Sequence, residues 1–107
     1  MLKMDCDYEL LKDITDIELE NFNEVMSYTK YHLKNEYKYE EFYEQELRLF
    51  CNNLKKVLQR LTPLNVNILC KVEVRNLRYE GIFRFTNIYV EINGEKIKHI
   101  GYQVELK

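Results

Sequence analysis

Four cations, Lys71, Arg75, Arg78 and Arg84, recur through a stretch of alternating apolar residues, a spacing that would gather them on the outward face or at the turn of a β-hairpin. Guanidinium and ammonium groups arranged in this way hold phosphate, and Tyr79 or Tyr89 beside them could stack on a base. Pairing Arg75 with Glu80 sets Lys71 directly across from Arg84, a like-charge contact that a bound anion or a nearby carboxylate would relieve. The structural alternative is a solvated face whose cations answer Glu73, Glu80 or the helices. A formal charge of -2 lacks the positive excess usual in a nucleic-acid binder.

A second group is acidic. Glu36, Glu40, Glu41 and Glu44 fall in the first turns of a helix, with Glu18, Glu20 and Glu24 on the helix before it. Such carboxylates complement the helix dipole, and they also suit the cationic surface of a protein partner. Phe42 and Leu49, on a flank away from the main stripe of the same helix, form a second apolar surface. Either the first helix covers it or a second copy of the chain does, so a homodimer is one expectation.

Motifs for catalysis, metals or cofactors are lacking. His32 and His99, the only imidazoles, fall in different expected elements, and a nucleophilic pair of His99 with Cys51 or Cys70 has no local support. Cys6, Cys51 and Cys70 are odd in number and form no CxxC pattern, which indicates neither a disulfide framework nor a zinc site. Cys51 and Cys70 are expected as buried small hydrophobes. Glycine-rich phosphate loops, His-x-x-x-His and paired aspartate loops do not occur. No catalytic residue, metal or cofactor is therefore assigned.

These groups need elements to position them. Tyr43, Leu47, Phe50, Leu54, Val57 and Leu61 alternate spacings of four and three, one seam of an amphipathic helix expected over about 36–61. Asn35 is its expected N-cap, and Thr62-Pro63 ends it. Upstream, Thr15 and Glu18 have capping-box spacing, with Ile14 and Leu19 as the staple, so a first helix is expected over about 15–33. Residues 5–14 show no decisive period. Charged Glu36 and Glu40 would interrupt a continuous apolar stripe, which predicts a break near Lys34 to Glu36.

Beyond Pro63 the period becomes two. Val66, Ile68, Cys70, Val72 and Val74 make one strand; Gly81, Phe83 and Phe85 begin the next, with Val72 opposite Phe83 and Cys70 opposite Phe85 on the inner face. A slip near Asn87 changes the apolar set to Ile88, Val90 and Ile92, which suggests a bulge or short turn. Asn93-Gly94 predicts a type I′ hairpin with Val90 opposite Ile97 and Glu91 opposite Lys96. A second slip near His99 precedes Ile100, Tyr102, Val104 and Leu106. The expected architecture is a single α+β domain over 1–107, with two N-terminal helices on one face of a three- to four-stranded antiparallel sheet spanning about 65–106. In element order this resembles cystatin-like or NTF2-like architecture, a likeness that carries no residue across.

Composition sets the class. Of 107 residues, 46% are hydrophobic and 32% charged, ordinary for a globular chain, and acids stand near the amino terminus where a signal peptide would be apolar, so a cytoplasmic location is expected. Residues 1–50 hold 6 Lys or Arg against 13 Asp or Glu, whereas residues 51–107 hold 10 against 5. Acidic helices and a basic sheet attract each other, or one of them steers a charged partner. Separated charge, nine tyrosines and absent catalytic motifs favour a small non-enzymatic interaction protein, an inhibitor or regulator of the toxin-immunity or phage anti-defence type. The alternatives are a nucleic-acid module using the basic face, and a small-molecule binder or enzyme with a pocket between sheet and helices.

Overall fold

The computed structural model describes residues 7–106, apart from the side chain of Glu36. Helix α1 spans Tyr8–His32 and α2 spans Glu36–Gln59; three strands follow, β1 Val66–Leu77, β2 Gly81–Ile92 and β3 Glu95–Leu106. The strands form an antiparallel meander in the order β1-β2-β3, with both helices on one face. The molecule measures 53 × 29 × 17 Å, the shortest axis being the depth of one helix layer on one sheet.

Helix α1 begins a full two turns before the expected start. Asp7 is its N-cap, accepting from the Leu10 backbone N–H at 3.1 Å. Thr15 is therefore interior and buried, and its hydroxyl donates to the Leu11 carbonyl at 2.8 Å rather than capping. Once this satisfied threonine counts as apolar, Leu11, Thr15, Leu19, Phe22 and Met26 form one continuous stripe. The helix ends near the expected place, and Asn35 caps α2 by accepting from the Lys38 N–H at 3.0 Å. The α2 stripe turns Tyr39, Tyr43, Leu47, Cys51, Leu54 and Leu58 inward, with α-helix ending at Gln59. Leu61, placed on the seam by spacing, lies past the helix and is 44% exposed.

The core has two connected parts. Leu11, Leu54, Leu58, Val66, Val90 and Ile92 fill one end; Leu19, Met26, Tyr39, Tyr43, Leu47, Cys51 and Ile88 fill the other, and Phe50 and Ile68 touch both. Leu47 and Leu58 are fully buried between helices and sheet, so each removes its whole apolar side chain from water, about 2–3 kcal/mol apiece.

The β1–β2 register differs from the sequence expectation. Val72 faces Thr86 and Cys70 faces Ile88, three residues further along β2 than expected, with Leu77 paired to Gly81 across a loop of Arg78, Tyr79 and Glu80. Gly81 has φ 117°, a conformation that glycine adopts without strain. An odd shift exchanges the two faces. Phe83 and Phe85 lie on the outer face, while Arg84 and Thr86 join Ile88, Val90 and Ile92 inside. No slip occurs at Asn87, because β2 is one continuous strand, and among the described residues the sheet has three strands, within the expected three to four. The Asn93-Gly94 turn forms with φ 50° and 83°, and Glu91 pairs with Lys96 as expected. Val90 faces Lys98 instead of Ile97, since a bulge follows at that point and supplies the phase slip read near His99.

Candidate functional site

Arg84 is the residue that the register change moves furthest. It points under α2, 5% exposed, and its Nη1 donates to both carboxylate oxygens of Glu40 at 3.0 and 2.9 Å. Its guanidinium lies 3.7 Å from the centre of the Tyr43 ring, a cation–π contact strengthened by burial. The Tyr43 hydroxyl is hydrogen-bonded to Thr86 at 3.1 Å and to the Tyr102 hydroxyl at 2.6 Å. Burial, then the hydrogen bond with Tyr43, raises the Tyr102 pKa; burial raises that of Tyr39, against the opposing charge of Arg84. The Arg84 Nε carries no partner among the described residues. A cleft of about 290 Å³ lies alongside, lined by polar Asn23, Ser27 and Lys30 as well as Arg84 and Tyr102.

Of the four cations expected together, the structure keeps two on one face. Lys71 and Arg75 lie on the outer face of β1, 3.9 and 3.0 Å from the Glu73 carboxylate, whose pKa falls below the usual range through the Arg75 hydrogen bond first. Arg78 sits in the loop over the Tyr79 ring. Lys71 faces Asn87, so the like-charge contact with Arg84 does not exist. The outer face sets Lys71, Arg75 and Lys96 against Glu73, Glu91 and Glu105. Its aromatic rings already hold cations, with Arg75 5.1 Å from the Phe85 centroid and Lys96 4.3 Å from that of Tyr89.

The acidic group is split as well. Glu36 opens α2, but its side chain lies outside the described residues. Glu40 turns inward to Arg84, and Glu44 pairs with Arg48 at 2.8 Å. No ion pair among the described residues engages Glu41. Glu40, Glu41 and Glu44 together form one wall of an open hollow of about 480 Å³, with Tyr37 beside them. Its floor is the far end of the inner sheet face: Val72 and Val74 from β1, Ile82 from β2 and Leu106 from β3. Val74 is 56% and Tyr37 69% exposed, so the apolar surface here is reachable. Sequence reasoning found the acids and missed the apolar floor, which becomes visible only when Ile82 joins Val72 and Val74 on the inner face.

Phe42 and Leu49 part company in the fold. Phe42 is half-buried against the Tyr39–Leu47 cluster, whereas Leu49 lines a shallow groove with Phe22 and Val25 of α1. Leu49 stays 55% exposed there. His99 stacks on Tyr89 at 4.4 Å on the outer face and hydrogen-bonds Asn87, on the opposite side of the sheet from Cys70. Cys70 packs instead against the cluster that contains Cys51. Among the described residues no cluster of His, Cys, Asp or Glu is arranged to hold a metal ion, and no helix is long and apolar enough to cross a membrane. No protein-family model matches the chain, and neither the curated proteins nor the solved structures compared with it give a match.

Proposed function

We propose that this protein is a non-enzymatic interaction module that inhibits or regulates a larger protein, and that it does so through the acid-rimmed hollow. The observation that carries the reading is the coincidence of an apolar floor, exposed at Val74 and Ile82 and continued by half-buried Val72 and buried Leu106, with Glu41 and Glu44 on the adjoining wall. Apolar anchors seated in a pocket supply binding energy, and charges at its rim select the partner. The occupant that fits is a segment of a partner protein with an apolar side chain flanked by Lys or Arg. A cytoplasmic regulator of the toxin-immunity or anti-defence type has the size and chemistry required.

The nucleic-acid reading of the sheet receives less support, because Arg84 belongs to the core and the outer face carries as many carboxylates as cations. The test is site-specific photo-crosslinking in the native cells. A photoreactive residue replacing Val74 should capture one protein, and Glu41→Lys with Glu44→Lys should abolish that capture. Capture from a probe at Leu69 on the outer face, unaffected by those reversals, would overturn the assignment of the hollow.

A further inference from the structure

The cleft beside Arg84 is lined for charge of one sign. Exposed Asn23, Ser27 and Lys30 of α1 stand on one side, half-buried Tyr102 and Val104 of β3 on the other, and buried Arg84 beneath them. Among the described residues that line it there is no carboxylate. The Lys30 ammonium lies 5.6 Å from the centre of the Tyr39 ring and makes no ion pair among the described residues. Glu40 engages Arg84 through Nη1 and lines the acid-rimmed hollow, not the cleft. The Arg84 Nε is buried and meets no acceptor among the described residues. A buried donor without an acceptor is costly, and folds rarely keep one without a use. The hydroxyls can be aligned with the same polarity. Thr86, Tyr43 and Tyr102 form a chain with O–O separations of 3.1 and 2.6 Å, in which either member of each pair can donate. With Thr86 donating to Tyr43 and Tyr43 to Tyr102, the Tyr102 proton is left for an acceptor in the cleft. Burial raises the Tyr102 pKa, so that proton stays on at neutral pH.

We propose that this cleft binds a small oxyanion, a carboxylate or phosphate group, held by the Lys30 ammonium at its mouth, the Tyr102 hydroxyl at its side and the Arg84 guanidinium beneath. Charge-assisted hydrogen bonds from such donors are the strong ones, and the shielded setting of Arg84 keeps water from screening its charge. The Ser27 hydroxyl and the Asn23 amide offer further donors at the rim. Glu40 offsets one of the two cations, so the cleft presents a single net positive charge, which a monoanion matches. At about 290 Å³ the cleft is at the small end of ligand sites, which suits a compact head group better than a polyanionic chain. Binding here does not depend on any partner in the hollow.

The test titrates the isotope-labelled full chain with sodium phosphate and, separately, with sodium acetate, following backbone amide shifts by NMR. Sodium chloride at matched ionic strength is the reference. At least one of the two oxyanions should give saturable shifts centred on Ser27, Lys30, Tyr102 and Val104, and the tighter of the two names the head group. Lys30→Gln, a change at an exposed position, should weaken binding roughly fivefold or more, and Tyr102→Phe by a similar factor. Lys71→Gln, which removes a charge from the outer sheet face, should leave the affinity unchanged. The same amide spectra report whether each variant is folded, and Lys30→Gln decides the matter if Tyr102→Phe is not. Shifts that grow linearly with both oxyanions as they do with chloride would overturn the proposal. So would saturable binding that a folded Lys30→Gln or Tyr102→Phe variant leaves intact, or that Lys71→Gln weakens equally.

Discussion

Replacing Glu40 with Gln keeps the shape of the side chain and removes the negative charge that faces Arg84. The pair is well shielded, with side-chain exposures of 6% for Arg84 and 18% for Glu40 and a shortest separation of 2.9 Å. Charge centres roughly 4 Å apart at an effective dielectric of about 20 attract by about 4 kcal/mol. Partial solvent access at Glu40 and the amide's remaining hydrogen bond reduce this, so Glu40→Gln is expected to cost about 2–4 kcal/mol. For a domain of this size that lowers Tm by roughly 10–20 °C. The matching double variant, Glu40→Leu with Arg84→Met, removes both charges and leaves apolar side chains of similar volume over Tyr43. It should stay within about 1 kcal/mol of the parent. Urea unfolding followed by far-UV circular dichroism measures all three proteins. A cost below about 1 kcal/mol for Glu40→Gln, or a double variant far less stable than the single one, would refute the claim that Arg84 is a buried cation held by one carboxylate.

Leu47→Ala should destabilise the fold by about 2–5 kcal/mol in the same urea assay, since Leu47 is 0% exposed in the centre of the helix–sheet interface. Asn35→Ala should cost about 1 kcal/mol through the lost cap on Lys38 N–H, whereas Thr15→Ser, which keeps the bond to the Leu11 carbonyl, should cost less than Thr15→Val despite the latter's closer shape. The pKa of Tyr39 and Tyr102 is raised above the ordinary tyrosine value of 10.0, so their contribution to stability is whole below pH 10 and is lost as the pH climbs through the higher folded-state values. Alkaline titration at the tyrosinate absorbance should show late-ionising groups, and Tyr102→Phe should remove one of them.

Much of the architecture was legible because each element carries a strong local signal. The seam from Tyr43 to Val57, the Asn35 cap and the Asn93-Gly94 turn are determined within a few residues of themselves; the cap and the turn form as expected, and the seam does so short of Leu61, which lies past the end of α2. The errors arose where a polar residue is satisfied by distant partners. Thr15 resembles a cap until its hydroxyl is seen to bond Leu11, so the start of α1 was placed too late. Arg84 resembles a solvated cation, yet Glu40 and Tyr43, more than forty residues away, make its burial favourable and thereby set the face of every residue in β2. Two aromatic side chains, Phe83 and Phe85, outweighed the Ile88-Val90-Ile92 parity in the sequence reading; in the fold they serve as platforms for each other and for Arg75.

The site was half legible for the same reason. Glu41 and Glu44 are marked by their spacing, but the hollow they border depends on the register that brings Ile82 beside Val72 and Val74, and on Leu106 arriving from the end of β3. The packing of Cys70 against the cluster that contains Cys51 depends likewise on how α2 lies across β1. Spacing within either element contains no trace of it.

The central claim is that partners engage the hollow and not the outer sheet face. The most direct measurement is the affinity of the captured partner for two sets of variants at exposed positions, compared by isothermal titration calorimetry. Val74→Asp combined with Glu41→Lys should weaken binding by roughly tenfold or more, equivalent to about 1.4 kcal/mol, while Lys71→Glu with Arg75→Glu should change it by less than about twofold. The reverse order, with the outer-face reversals dominant and the hollow variants neutral, would contradict the account.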